Sequence, residues 1–530
     1  MRKSLLATAI SVSLFTVSNS QPLLAQDNAD QQFGAVNFET SCNEVAQRRF
    51  NRAMRYQHSF WYDQAKEIFE EVLKADPTCA MAQWGIALTF LNNPHIAIPA
   101  ANLAPGLAAI QQAKAMNAKT ERERDYINAL AHMYVDHDKL THRERITAFL
   151  KAMEALAAKY PNDDEAQIAY AITLNASASP SDKTYAQQNR GVSLLEPISK
   201  RLPQHPGVIH YLIHLYDYPE TAYKGLEAAQ RYAKIAPAAP HAQHMPSHIY
   251  TRVGYWKESI ASNEASAKAA RADKEAANQL HGQDYMVYAH LQLGQDKSAR
   301  AVIDDMTVTK NVGPGAFPSQ FALAASPARF AMERGDWTGA AELQVRQSQF
   351  PQVMAITHFA RALGTARSGK PEVAAADVTK LAELRDKLKE AKDTYWSEIV
   401  DIQRQIAAAW VLVAEGKHDE ALKAMSAAAD AEDKTEKHAV TPGPLAPARE
   451  LYGFMLLGRG KANEALMAFE STKAKEPNRF HGYAGAAQAA HELGDKEKAK
   501  ENYQKLIALA SSADSERIEI VDARKFMGAN

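Results

Sequence analysis

Histidine is the residue type whose number and spacing point most directly to chemistry in this sequence. Six of the 18 histidines lie between His205 and His248. His210 and His214 are four residues apart, so a helix presents both on one face. The same spacing recurs 34 residues later in His244 and His248. Because neutral imidazole is a common ligand of borderline metals, the two pairs predict a site for Zn, Cu, Ni or Fe.

The interval of 34 residues is one helix-turn-helix unit, so the two pairs stand side by side on neighbouring repeats. Units that start at Pro206 and Pro240 place the pairs at positions 5 and 9 of a first helix. We expect these positions to line the concave groove of the array, and a further unit from Leu280 extends it. The predicted groove contains Gly207, His210, His214, His241, His244, His248, His281, Asp284 and Tyr288.

Two charged residues complete this hypothesis. Asp284 is either a metal ligand or the acceptor that fixes an imidazole tautomer. Arg252 follows the helix of His248, where it holds an anion in the groove or forms an ordinary surface salt bridge. Both assignments depend on the register, since a shift by one residue would scatter the side chains over other faces.

The residue types leave three interpretations of the groove open. The imidazoles hold a metal, bind an organic or peptide ligand, or form a structural polar network. The H-E-x-x-H pattern of metalloproteases is absent, because neither i, i+4 pair has an acidic residue between its histidines. The sequence contains no phosphate loop or dinucleotide fingerprint, and spacing assigns no catalytic triad, so catalytic residues are unknown.

Three other histidines are interpreted without a ligand. His58 and His95 lie near the turns of the first two repeats, where hydrogen bonding between repeats is the favoured role and a second site the alternative. His205 precedes its helix and is interpreted as a turn residue.

The N-terminal residues have the pattern of an export signal. Arg2 and Lys3 precede a short apolar run, and small residues allow cleavage after Ser20 or Ala25. This pattern predicts a secreted or periplasmic protein. In an oxidising compartment Cys42 and Cys79, the two cysteines of the chain, are predicted to form a structural disulfide; two free thiols or a redox role are the alternatives.

Composition excludes several classes of protein. The chain has 530 residues, 61 Lys and Arg against 62 Asp and Glu, and 46% apolar residues. A formal charge of -1 offers no electrostatic footprint for nucleic acid or an anionic membrane surface. No apolar run is long enough to span a membrane, so neither a nucleic-acid partner nor a membrane span is expected.

A repeated helical unit positions these residues. Small residues, an aromatic residue and a proline recur at fixed positions of a 34-residue unit. Units that start at Ala46, Ala446 and Phe480 carry this pattern, in the first of them at Ala53, Tyr56, Ala65, Phe69 and Pro77. The small residues let two helices approach and the aromatic ring fills the space between them. The pattern is that of the tetratricopeptide repeat, so the predicted fold is an all-α solenoid.

The pattern and its interruptions divide the chain. Loops rich in Pro, Gly, Asn or Ser are predicted at about 92–107, 175–187, 306–320 and 434–446. The predicted parts are a signal peptide at 1–20, a disordered leader at 21–41, a repeat array with the histidine groove at 42–305, a second array at 321–512 and a tail at 513–530.

Several strings extend the likeness beyond the generic repeat. They are His58-Ser-Phe-Trp-Tyr-Asp-Gln-Ala65, Asp76-Pro-Thr-Cys-Ala-Met-Ala82, Trp84-Gly-Ile-Ala87, Asp182-Lys-Thr-Tyr-Ala186, His205-Pro-Gly-Val-Ile-His210-Tyr-Leu-Ile-His214 and His244-Met-Pro-Ser-His248. Over residues 38–300 the chain resembles a family of exported bacterial tetratricopeptide repeat proteins. The resemblance implies the fold and export, and it implies no activity.

The sequence therefore predicts a periplasmic repeat protein that binds a protein or peptide partner through a concave, histidine-rich groove, with or without a transition metal. The alternatives are a metal-dependent enzyme, hydrolase-like or oxidoreductase, that uses the same histidines, and a purely structural scaffold.

Overall fold

A computed structural model describes residues 31–313 and 315–528. Every secondary-structure element in these ranges is helical, which confirms the predicted all-α fold. The predicted signal peptide and both predicted cleavage positions lie outside the described residues. None of the described helices is both long and apolar enough to cross a bilayer.

The N-terminal part of the array consists of eight helices, each packed on the next or on the one after it. They are α1 (Glu44–His58), α2 (Tyr62–Ala75), α3 (Ala80–Phe90), α4 (Ala100–Ala115), α5 (Glu121–Ala131), α6 (His142–Lys159), α7 (Asp164–Ser177) and α8 (Ala186–Arg201). The hydroxyl of Thr120 caps α5 in a capping box with Glu123, as its sequence predicts.

The central part carries the histidine pairs. Its helices are α9 (Pro206–Tyr216), α10 (Leu226–Ile235), α11 (Pro240–His244), α12 (Pro246–Val253), α13 (Trp256–Ala272), α14 (Ala276–Gln292) and α15 (Asp296–Thr307). Every residue of α9 is buried, so this helix lies inside the molecule rather than on its surface.

The C-terminal part continues the array. Its helices are α16 (Phe317–Glu333), α17 (Trp337–Ala341), α18 (Pro351–Arg367), α19 (Pro371–Glu390), α20 (Thr394–Ala414), α21 (His418–Asp433), α22 (Ala448–Leu457), α23 (Ala462–Lys475), α24 (Phe480–Glu492), α25 (Lys496–Leu509) and α26 (Ile518–Phe526). Short 3-10 segments occur at Gln31–Phe33, Ala222–Gly225 and Ala510–Ser512.

The repeat positions pack as the pattern predicts. Ala53, Ala65 and Phe69 are fully buried between α1 and α2. The ring of Phe69 also lies against Gly85 of α3, where a Cβ atom would come within 2.4 Å of the ring. Small residues thus allow consecutive helices to close on one aromatic side chain.

The segment before α1 is ordered from residue 31 onward. Phe33 stacks on Tyr56 with ring centroids 4.3 Å apart, and Phe38 is only 1% exposed among aromatic rings that include Phe50. The prediction of a disordered leader is therefore wrong for residues 31–41, because their apolar side chains cover the first repeat. Next to this segment, Cys42 and Cys79 form a disulfide that joins the starts of α1 and α3.

The superhelix winds so tightly that its two ends contact its centre. At the N-terminal end, the side chain of His58 in α1 bonds to Tyr211 in α9. At the C-terminal end, the Phe480 amide of α24 donates to Gln292 Oε1 in α14 at 3.0 Å. The predicted tail forms α26, and Arg517 just before it pairs with Asp296 of α15. The inner surface of the superhelix is therefore filled by protein rather than open to solvent.

Candidate metal centre

A group of imidazoles occupies this filled interior, and we call it the histidine chamber. It consists of His95, His210, His214, His241, His244, His248 and His281. Helices α9, α11, α12 and α14 supply six of the rings, and the segment between α3 and α4 supplies His95. The four histidines of the i, i+4 pairs are each no more than 5% exposed.

The first trio of the chamber comprises His210, His214 and His241, which are placed to hold one metal ion. His210 Nδ1 donates to the backbone carbonyl of His58 at 2.6 Å, which leaves its Nε2 with a lone pair. The Nε2 atoms of His214 and His241 lie 3.1 and 3.2 Å from this atom. Three ring nitrogens therefore converge, although a single lone pair accepts at most one good hydrogen bond.

The second trio comprises His244, His248 and His281, and its hydrogen bonds fix the tautomers. His248 Nδ1 lies 2.8 Å from Asp217 Oδ2, and His244 Nδ1 lies 2.6 Å from Asn263 Oδ1. Both acceptors are oxygens, so each imidazole carries its proton on Nδ1.

The amide of Asn263 has one orientation. Its Nδ2 donates to the Ser259 carbonyl at 2.8 Å, so Oδ1 must face His244. The Nε2 atoms of His244 and His248 nevertheless lie only 3.0 Å apart. Two neutral rings with their protons on Nδ1 point lone pairs at each other across this contact, which is repulsive unless a cation lies between them.

Protonation does not relieve the contact, because burial disfavours the charged ring. Desolvation lowers the pKa of His244 well below 6.5, and neighbouring histidines lower it further. Burial also lowers the pKa of His248, although Asp217 opposes this shift. The pKa of His281 falls to about 3 for the same reason, and its Nδ1 has no hydrogen-bond partner among the described residues. The trio is neutral near pH 7.

Asp217 anchors the second trio to the C-terminal half. Its carboxylate binds Arg252 Nε at 2.9 Å and Lys437 Nζ at 2.9 Å in addition to His248. These two cations hold the pKa of Asp217 well below its usual range despite burial. Glu436 lies 3.6 Å from Arg252. The connection between α21 and α22 therefore reaches the chamber, in keeping with a loop predicted there.

Aromatic rings cover the trios. Phe60, in the turn after α1, stacks on His241 at 5.1 Å and contacts His210 edge-on at 4.4 Å between ring centroids. Its φ of 56° is left-handed, which is unusual for an aromatic residue. Tyr285 packs on His244 at 4.8 Å. The chamber is thus enclosed by apolar rings that limit access of water.

Two predicted groove residues lie elsewhere. The Asp284 carboxylate accepts from Ser326 Oγ at 3.1 Å and lies 3.4 Å from Arg329 Nε, away from the imidazoles. The Tyr288 hydroxyl accepts from Arg479 in a separate buried cluster. Both assignments were wrong because the third unit is offset: His281 and Tyr285 follow His244 and His248 by 37 residues rather than 34.

The exposed part of the prediction also requires correction. The face that bears the histidines is closed, so it is a chamber rather than an open groove. Gly207 packs against His58, where a Cβ atom would lie 2.4 Å from the ring. Arg252 is 5% exposed in its pair with Asp217, so it is neither a groove anion site nor a surface salt bridge. Buried neutral imidazoles do not suit a peptide carboxylate.

Sequence reasoning missed several members of the site. His95 was interpreted as a turn residue, yet its ring lies 4.3 Å from that of His214. Asp217 directly follows the helix of His210 and His214, a signal that its position offered. Nothing local to Asn263 or Lys437 indicates a role, since packing between distant repeats brings them to the histidines.

A second buried cluster resembles a metal site in residue types. His58, Glu165 and His205 also place three ligand atoms within 4.8 Å of one another, and we call them the Glu165 group. His205 Nε2 lies 2.9 Å from Glu165, and its Nδ1 accepts the Val208 amide at the start of α9. His58 Nε2 lies 3.2 Å from Glu165 and its Nδ1 accepts from Tyr211. Every ring nitrogen here has a partner, so the group forms a complete polar network.

Comparison with known proteins supports the fold. A family profile described as tetratricopeptide repeat matches residues 46–79 and 480–512. No curated protein sequence matches the chain.

Solved structures give distant likenesses. Yeast Tom70 is 12% identical over 92% of this chain and 96% of that chain, with a TM-score of 0.34. The Cut9–Hcn1 hetero-tetramer of the APC/C is 10% identical over 91% and 95%, with a TM-score of 0.28. Naa15/Naa10 bound to HypK-THB is 10% identical over 96% and 92%, with a TM-score of 0.25. Scores this low carry no argument about function. The chain is an all-α helical repeat protein with tetratricopeptide units near both ends of its array.

Proposed function

We propose that this repeat protein holds a transition-metal ion in the second trio of its histidine chamber. The observation that carries the proposal is the 3.0 Å contact between His244 Nε2 and His248 Nε2, whose lone pairs face each other. Metal–nitrogen bonds of about 2.0–2.1 Å in a tetrahedral arrangement separate two ligand nitrogens by about 3.3 Å. The contact therefore has nearly the spacing of two ligands of one ion.

The surroundings of the rings support this proposal. Metal-ligating histidines usually donate their other ring N–H to a carboxylate, carbonyl or amide oxygen. Asp217 and Asn263 are such acceptors for His248 and His244. All-imidazole ligation suits Zn, Cu, Ni or Fe and disfavours Mg and Ca, which prefer oxygen ligands.

The repeats themselves support a role as a protein–protein interaction scaffold. We infer that partners bind on the outer surfaces of the array, because the inner surface is filled. The metal then stabilises the centre of the scaffold.

We also propose that the chain is exported. The N-terminal pattern has the order of an export signal, and the Cys42–Cys79 disulfide suits an oxidising compartment. Fractionation of cells that express the full chain tests this, and recovery of the uncleaved chain in the cytoplasm would contradict it.

Metal analysis of the purified full chain tests the main proposal. The His244→Ala/His248→Ala variant should lose at least about one equivalent of transition metal relative to the wild type. His205→Asn is the matched control, since it alters a buried histidine of the Glu165 group and retains a helix-capping acceptor. A wild-type content below about 0.1 equivalent that metal loading does not raise would overturn the proposal.

Catalysis at the ion is a second candidate function, favoured by one observation. The trio supplies three protein ligands, and catalytic metal sites keep a further position open for water or substrate. Activity that appears in loaded protein, disappears on stripping and is absent from the double variant would separate an enzyme from a purely structural site.

A further inference from the structure

We propose that the chamber is a dinuclear metal centre, with one ion in each histidine trio and a small anion between the two ions. This inference rests on the proposed function, because it adds a second ion beside the first. It assigns the ligands of the two ions to different repeats: His210, His214 and His241 to one, and His244, His248 and His281 to the other.

The first trio satisfies the same geometric conditions as the second. Its three Nε2 atoms converge, with His210 Nε2 at 3.1 Å from His214 and 3.2 Å from His241. The tautomer of His210 is fixed by the carbonyl of His58. Two neutral rings therefore compete for one lone pair, whereas an ion accepts all three.

The trios are direct neighbours in one enclosed space. The rings of His214 and His248 lie 6.1 Å apart between centroids, as do those of His241 and His244. Each face of one trio thus has a counterpart in the other. With three protein ligands each, both ions keep a position that points into shared space.

The charge of the chamber specifies the class of bridging ligand. All six ligands are neutral imidazoles, and the nearest carboxylate, Asp217, is already paired with Arg252 and Lys437. The protein therefore leaves the charge of two cations uncompensated, which is unfavourable in a desolvated site. A hydroxide or another small anion shared by the ions reduces this charge and completes both coordination shells.

Copper(II) titration of the metal-stripped full chain tests the inference. We expect about two equivalents to bind, one per trio. The paramagnetic resonance signal of the two-copper protein should integrate to far less than two spins, because bridged neighbouring ions couple. The His214→Ala/His241→Ala variant should bind about one equivalent whose signal accounts for the whole bound copper.

The outcomes separate this inference from the proposed function. Binding of about one equivalent by the wild type, with full spin intensity, would overturn the dinuclear centre and leave the single site intact. Two equivalents with two full, uncoupled spins would overturn the bridge. No binding would overturn both. Because these criteria apply to the wild type, a variant that fails to fold, as judged by its helical circular dichroism, does not prevent the test.

Discussion

The histidine chamber and the Glu165 group are adjacent, buried and built from similar residues, yet they differ in how their ring nitrogens are used. In the Glu165 group each imidazole donates to a carboxylate and accepts from a protein donor. In the second trio of the chamber both fixed tautomers point lone pairs at each other. His58 belongs to the first cluster by its side chain and contacts the second by its carbonyl.

The difference shows that residue type and proximity do not identify a metal site by themselves. Both clusters bring three ligand atoms within 4.8 Å. The accounting of donors and acceptors separates them, since a complete network gains nothing from an ion and an incomplete one does. The following predictions test this distinction, from the largest effect to the smallest.

The largest effect is expected from Glu165→Ala. The substitution leaves the Nε2–H groups of His58 and His205 without acceptors inside the protein, at about 1–3 kcal/mol each. We expect the free energy of unfolding in urea to fall by about 3 kcal/mol while the metal content is unchanged. Glu121→Ala, at an exposed ion pair, is the control and should change stability by less than about 0.5 kcal/mol. Loss of metal from Glu165→Ala would contradict the separation of the clusters.

Metal removal should have a slightly smaller effect. An ion that binds only the folded chain stabilises it by about 2.7 kcal/mol at a free concentration of 100 times Kd. Thermal unfolding of stripped protein with and without zinc measures this. His205→Asn should retain the stabilisation and His248→Ala should lose most of it. Equal stabilisation of both variants would place the ion outside the second trio.

Asn263→Leu should weaken metal binding without touching a ligand. Loss of Oδ1 frees the tautomer of His244, and such changes around a metal typically cost 10–100-fold in affinity, or about 1.4–2.8 kcal/mol. Asn263→Asp keeps an acceptor at this position and should bind metal at least as tightly as the wild type. Competition with a chromogenic chelator measures both, and equal affinities for the two variants would count against the assigned tautomer.

The two clusters should also lose stability in different pH windows. Burial lowers the pKa of His210 to about 3, so in the unfolded chain this ring binds a proton at a higher pH than in the folded chain. The stability from its neutral form is complete above about pH 6.5 and decreases by about 1.4 kcal/mol per pH unit as the pH falls from there towards 3. The neighbouring histidines lower the pKa of Glu165, whose contribution is lost only as the pH falls below 4.5.

Urea unfolding of metal-free protein from pH 7.5 to 4 measures these windows. His210→Gln should reduce the slope below pH 6.5 by about one proton, and Glu165→Ala should leave the contribution of His210 to that slope unchanged. Stability independent of pH between 6.5 and 5 would mean that the chamber histidines are not buried as neutral rings.

The sequence predicts the fold and half of the site for a clear reason. Positions within one 34-residue unit are fixed by local helix geometry, so the spacing of His210, His214, His244 and His248 suffices to place them on one face. The prediction fails at Asp284 and Tyr288, where the interval between units grows to 37 residues and the register with it.

The rest of the site depends on how distant repeats meet. His95, Phe60 and Lys437 reach the chamber because the superhelix closes on itself, and no periodicity in the sequence encodes that closure. The same closure turns a predicted groove into an enclosed space. Surface exposure was therefore the least predictable property, although the residue types were identified.

Anomalous diffraction at the copper absorption edge, from crystals of copper-loaded full chain, tests the central claim most directly. We predict a peak about 2.0–2.2 Å from Nε2 of both His244 and His248, and no peak at the Glu165 group. An absence of anomalous density between these two rings, or a peak on Glu165 instead, would contradict the account.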